Sequence, residues 1–168
     1  MVWGRIMNID KLRKELERDE GVKYEVYLDH LSYPTFGIGH LITDDDPECG
    51  AAVGTKVSDD RVKEAFSSDI ESVLSDCERL YEDPVGGRSF GDLPEEVQLI
   101  IANMMFNMGA TRLSKFRGMK RGVDARDWNA AADEMVASIW YKQVTNRANR
   151  LVQRMRNIGW GSPTVHLE

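Results

Sequence analysis

Strand-forming signals are confined to one short stretch of this chain, and that confinement constrains the fold more than any other feature. Tyr24-Glu25-Val26-Tyr27-Leu28 alternates along its length and favours β structure. Asp29-His30-Leu31-Ser32 follows as a turn, and Tyr33 to Ile38 makes a second strand. Gly37 and Gly39 permit close backbone approach or unusual dihedrals there.

Outside this stretch the apolar spacing is helical. Ile9, Leu12 and Leu16 keep one face, and Gly21 is a C-terminal stop, which puts Glu20 at the end of a first helix. Thr43 to Gly50 is a loop. Ser58 is a suitable N-cap for a helix reaching about Leu80, with Val62, Phe66, Ile70, Val73, Cys77 and Leu80 on its buried stripe. Residues 82–93 read as loop. Pro94 stands at the first helical position of the next helix, with Glu95 and Glu96 in its first turn and Gly109 just past its end. Val97, Ile100, Ile101, Met104, Met105 and Met108 make it the most apolar helix, hence the centre of the core, with the methionines as packing filler. Asp124 is read as the cap of a helix carrying Trp128, Ala132, Met135 and Val136. Thr145 is read as the cap of a last helix carrying Ala148, Leu151, Val152 and Met155 and ending near Gly159.

The expected fold class is α+β. A small antiparallel-sheet lobe (about 19–60) is joined by a long helix (about 59–80) to a larger helical lobe (about 81–160, with the N-terminal helix 8–18). A cleft between the lobes would suit an extended substrate. The 168 residues suffice for one such domain, 1–168.

Composition removes several function classes. The chain is 42% hydrophobic and 30% charged, and no apolar stretch approaches eighteen residues, so no membrane insertion is expected. Met1-Val2-Trp3-Gly4-Arg5-Ile6 is too short and mixed for a signal peptide, so no export by the usual secretory route is expected. Cys49 and Cys77 are expected to be free thiols, Cys77 buried. The net charge of −6 divides into −12 over residues 1–111 and +6 over residues 112–168. That basic end is either a solvated face or an attraction to a polyanion such as cell-wall peptides, lipid head groups or nucleic acid. Nucleic acid is disfavoured by the acidic pI and the lack of interleaved aromatic residues. His30, His40, His166, Cys49 and Cys77 are too scattered for zinc, Asp44–Glu48 lacks the EF-hand pattern, and no phosphate loop stands out, so neither metal nor cofactor is expected.

Two carboxyls carry the chemistry. Cleaving a bond between sugars needs one acid to protonate the leaving oxygen and a second carboxylate on the far face. Glu20, ending a helix, and Asp29, following a strand, could supply them. The negative end of the helix dipole disfavours a charged carboxyl at Glu20, which suits a proton donor. Asp29 and Thr35 are each ordinary where they stand; the joint spacing carries the argument. Asp69 leans toward the buried side of its helix and needs a partner, for which His40 is placed.

These residues resemble the lysozymes, or endolysins, of tailed bacteriophages, the group typified by the coliphage lysozyme. The resemblance covers roughly residues 8–160. It rests on Arg18-Asp19-Glu20-Gly21, Tyr27-Leu28-Asp29, Pro34-Thr35-Phe36-Gly37-Ile38-Gly39-His40-Leu41, Asn103-Met104-Met105-Phe106-Asn107-Met108-Gly109, Trp140-Tyr141 and Asn146-Arg147-Ala148-Asn149-Arg150. It implies that Glu20 is the general acid, Asp29 the second carboxylate, and Thr35 a holder of the attacking water. The implied reaction is inverting hydrolysis of the β-1,4 bond between N-acetylmuramic acid and N-acetylglucosamine in peptidoglycan. It further implies that His40 and Asp69 form a structural ion pair, that Arg147 braces Asp19 and Glu20, and that Leu41 and Phe106 line the saccharide cleft. The chain departs from the family at Asn107, where many members have Gln, and at Met119 and Glu134, which align with groove positions that are usually polar.

The leading expectation is a monomeric endolysin acting on peptidoglycan. It would reside in the host cytoplasm and reach the periplasm or wall through a holin. The alternatives are the lysozyme domain of a phage tail, a lytic transglycosylase, which needs only one acid, and a catalytically silent wall-binding protein.

Overall fold

The computed structural model describes residues 7–159. The N-terminal stretch Met1–Ile6, His166 and the closing Leu167-Glu168 lie outside the described residues. The chain divides into two compact units, Ile9–Val73 and Leu74–Glu168 with Met1–Asn8.

The first unit holds α1 (Ile9–Glu20), β1 (Lys23–Leu28), β2 (Pro34–Gly37), β3 (His40–Leu41) and α2 (Asp59–Leu80) as far as Val73. The sheet is antiparallel in the order β1-β2-β3. Tyr27 faces Thr35 and Leu28 faces Pro34 across β1 and β2, while Thr35 faces Leu41 and Phe36 faces His40 across β2 and β3. The outer edge of β1 is covered by residues 54–57: Val26 N–H donates to Thr55 O, and Val57 N–H donates to Tyr24 O. Covering that edge removes a surface on which another strand could pair. Ser58 Oγ accepts from Arg61 N–H at 3.1 Å and so caps α2 as expected. Leu12, Leu16, Val26, Phe36, Val62, Phe66 and Ile70 fill the core, and burying each such side chain contributes about 1.5–3 kcal/mol. A Cβ at Gly37 (φ +65°) would lie 3.1 Å from Val62 Cγ1, so glycine lets β2 approach α2.

The second unit is helical: the end of α2, α3 (Glu95–Leu113), α4 (Arg117–Asp124), α5 (Trp128–Val136), α6 (Ile139–Gln143) and α7 (Thr145–Gly159). Val97, Ile100, Ile101, Met104 and Met105 of α3 are all buried, as expected of a core helix. Gly109 (φ 82°, ψ 164°) breaks its helical geometry before one further turn. The buried Gln98 is fully engaged: its amide donates to Leu93 O (2.8 Å) and Gly91 O (3.2 Å), and its Oε1 accepts from Met7 N–H.

The α+β class holds, and the differences from expectation are local. Residues 82–93 are not featureless, because an Asp83–Arg88 bridge and a 3-10 helix over Phe90–Asp92 organise them. Asp127, not Asp124, caps α5, its side chain accepting from Ala130 N–H; Asp124 ends α4, a helix the periodicity did not reveal. Thr145 begins α7, but its hydroxyl donates to Lys142 O instead of capping. Val136 is 37% exposed, outside the core it was assigned to.

Candidate active site

Gly21 brings Glu20 to the end of α1. At φ +72° it takes the left-handed conformation that ends a helix, and its N–H donates to Glu17 O at 2.9 Å. The Glu20 carboxylate rests against the backbone of Gly39, where a Cβ would lie 2.6 Å from Glu20 Oε1.

Asp29 opens the turn between β1 and β2. Its Oδ1 accepts from Leu31 N–H (2.8 Å) and Tyr33 N–H (2.9 Å), and its own N–H donates to Tyr33 O. One carboxylate oxygen thus builds the turn, which fixes where the other points. Thr35 is buried and donates its hydroxyl proton to Tyr33 O at 2.8 Å. With that proton committed, the hydroxyl can take up a water by accepting from it.

Tyr27 stands directly across the ladder from Thr35, with Lys23 Nζ 4.2 Å from its ring centre. Burial, then the negative charges of Glu20 and Asp29, push its phenol pKa upward. Tyr27 thus pairs with Thr35 across the ladder and feels the negative charge of both carboxylates. The sequence assigned Tyr27 no role. Leu41 also faces Thr35, from β3, and is about half exposed.

Behind this group the expected His40–Asp69 pair is present, Nδ1 to Oδ2 at 2.7 Å. Asp46, which sequence reasoning left in a loop, takes the other ring nitrogen, Nε2 to Oδ2 at 2.9 Å. Two carboxylates offer only acceptors, so a ring between them is satisfied when it carries both protons. Burial alone opposes that charge, but the bonds and charges of Asp69 and Asp46 outweigh it and raise the His40 pKa. Asp46 is raised by burial, yet the Thr43 N–H, His40 and Arg61 together lower it. Arg61 extends the chain, donating to Asp46 Oδ1 (3.0 Å), to Glu48 (2.8 and 2.9 Å) and to Glu64. The only sequence signal for Asp46 was its place three residues after Thr43, whose N–H it accepts.

Phe106 and Arg147 belong to the second unit, the other site candidates to the first. Phe106 is half-buried on α3. Arg147 Nε donates to the buried Asn103 Oδ1 at 2.9 Å. Asn107 accepts from the buried Trp140 indole at 2.7 Å, a structural use for that departure. Met119 is fully buried, so it packs inside its unit and lines no surface. Cys49 and Cys77 are free, Cys77 buried with its thiol pKa pushed up by burial. The basic end is partly neutralised within its own unit, Arg154 on Glu96 (2.8 and 3.0 Å) and Arg156 on Asp133 (2.8 Å). Among the described residues no helix is long and apolar enough to cross a membrane, and no group of three metal-ligating side chains is placed to hold an ion.

Comparison with known proteins shows the family. The phage lysozyme family model matches residues 17–157. "Probable T4-type lysozyme 2" of Dictyostelium discoideum is 30% identical over 159 residues, covering 86% of this chain and 92% of that protein. The "Pre-baseplate central spike protein Gp5" of Enterobacteria phage T4 is 29% identical, covering 81% of this chain but 26% of that protein. The "Peptidoglycan hydrolase gp36" of Pseudomonas phage phiKMV is also 29% identical, covering 85% of this chain and 15% of that protein. With a match running from the end of α1 into α7, the chain belongs to the phage lysozyme family and is a glycoside hydrolase of the lysozyme class.

Proposed function

We propose that this chain hydrolyses the β-1,4 bond between N-acetylmuramic acid and N-acetylglucosamine in peptidoglycan, with inversion. Glu20 protonates the leaving oxygen. Asp29 and Thr35 hold and orient the water that attacks the opposite face. Leu41 contacts the saccharide. The observation that carries this reading is that one three-stranded sheet holds Asp29 in its first turn, Thr35 on its central strand, and Gly39, against which the Glu20 carboxylate rests, in its second turn. The biological role proposed is that of an endolysin: a monomer made in the host cytoplasm, admitted to the wall by a holin, and causing lysis.

Product analysis on purified peptidoglycan tests the chemistry. Reducing-end fragments released in the α form are expected. A 1,6-anhydro product would instead identify a transglycosylase, and no product would identify a wall-binding protein. A second reading of the role, a lysozyme domain of the virion, draws on the matches to segments of two larger phage proteins. Antibody detection of the chain in purified virions, against its appearance only in lysing cells, separates the two roles.

A further inference from the structure

The short turn that carries Gly39 has little of its own to hold it in place. β3 is two residues long and, among the described residues, pairs only with β2. Gly37 (φ +65°) and Gly39 (φ +60°) both take left-handed dihedrals, and such residues give up much conformational freedom on folding. Yet this turn is where the Glu20 carboxylate rests. The side chain beside Gly39 is His40, and its ring is fixed at both nitrogens, by Asp69 of α2 and by Asp46 of the following loop.

Asp46 is the hub of that second attachment. Its Oδ2 accepts from His40 Nε2 and from Thr43 N–H, and its Oδ1 accepts from Arg61 of α2. Arg61 is in turn fixed by Glu48 and Glu64, and its guanidinium lies 5.3 Å from the Phe36 ring centre. The ring of Phe36 packs 4.8 Å from the His40 ring. The charged groups linked to His40 are therefore Asp69 and Asp46 directly, Arg61 through Asp46, and Glu48 and Glu64 through Arg61.

We propose that Asp46 is a positioning residue for the reaction, acting through His40 to hold the Gly39 backbone that seats the Glu20 carboxylate. This rests on the reading of Glu20 as proton donor. A misplacement of about 1 Å at a reacting group can lower a rate by up to ~100-fold. The loss of one of two attachments, with Asp69 retained, is expected to have a smaller effect.

The test compares Asp46→Asn and Asp46→Glu with the wild type on peptidoglycan fragments, well below the melting temperature, at about pH 5.5. Asp46→Asn is expected to lower kcat by about 5–20-fold with KM within about twofold, and Asp46→Glu to restore most of it. A purely structural Asp46 would lower the melting temperature and leave kcat unchanged, which overturns the proposal. A measurement on the wild type needs no variant. In an NMR titration the Gly39 amide and the Glu20 side-chain carboxyl are expected to show an inflection at the pH where His40 loses its proton. Their silence through that titration also overturns it. An active Glu20→Gln would sink the reading of Glu20 as proton donor, whereas the NMR coupling stands or falls by itself.

Discussion

The carboxylate of Glu20 fills the space that any side chain at residue 39 would need, its Oε1 lying 2.6 Å from where a Cβ on Gly39 would be. The proposed proton donor is thus seated against bare backbone at a left-handed residue, φ +60°. The arrangement depends on residue 39 having no side chain, and it ties the end of α1 to the turn before β3.

Gly39→Ala should therefore harm activity more than folding. The added methyl group displaces Glu20, and the left-handed dihedral costs about 1–2 kcal/mol for a residue with a Cβ. A drop in melting temperature of only a few degrees, with kcat reduced at least about tenfold, is expected from thermal melts and initial rates. Wild-type kcat would refute the seating.

Glu20→Gln should abolish hydrolysis with the fold intact. General acid catalysis contributes roughly 100- to 10,000-fold, so turnover on peptidoglycan should fall by at least about 100-fold. Circular dichroism should be unchanged. Activity within a few-fold of wild type would exclude Glu20 as the acid.

Asp69→Asn should lower stability in a pH-dependent way. The His40 pKa is raised, so its contribution is complete below the unfolded value of about 6.5 and is lost as pH rises through the raised folded value. The Asp46 pKa is lowered, so its contribution is complete above about 3.9 and is lost as pH falls through the lowered value. Both are complete between about pH 4 and 6.5. There Asp69→Asn should cost about 1.5–3 kcal/mol, the range for a hydrogen bond to a charged group. That is a fall of several degrees in melting temperature. The difference from wild type should shrink in alkaline solution; a deficit independent of pH would contradict the charged bridge.

Arg154 pairs with Glu96 through two bonds, so reversing it is a stability test before it is a test of attraction to the wall. Arg154→Glu should destabilise the fold, though by no more than about 1 kcal/mol at this partly exposed pair. Adding Glu96→Arg should recover much of that loss. A double-mutant cycle by chemical denaturation measures the coupling; zero coupling would show a pair without energetic weight.

What the sequence determined by itself was what acts over a few residues. The apolar spacing of Leu12 and Leu16 and the stop at Gly21 put Glu20 at a helix end. Alternation around Val26 made a strand, and the spacing on to Asp29, Thr35 and His40 carried the resemblance to the family. Each rests on helical or strand period, or on the dihedral a glycine permits, and those are local properties. What only the tertiary structure decided was which distant groups meet. Asp46 and Asp69 are 23 residues apart in sequence, yet both reach His40. Arg154 finds Glu96 across 58 residues. The choice of Asp127 over Asp124 as the α5 cap follows from where α4 ends, which α4's short, glycine-bearing sequence did not show. A charged side chain has several possible partners at any spacing, and its pairing is set by which elements fold against each other, not by its neighbours in the chain.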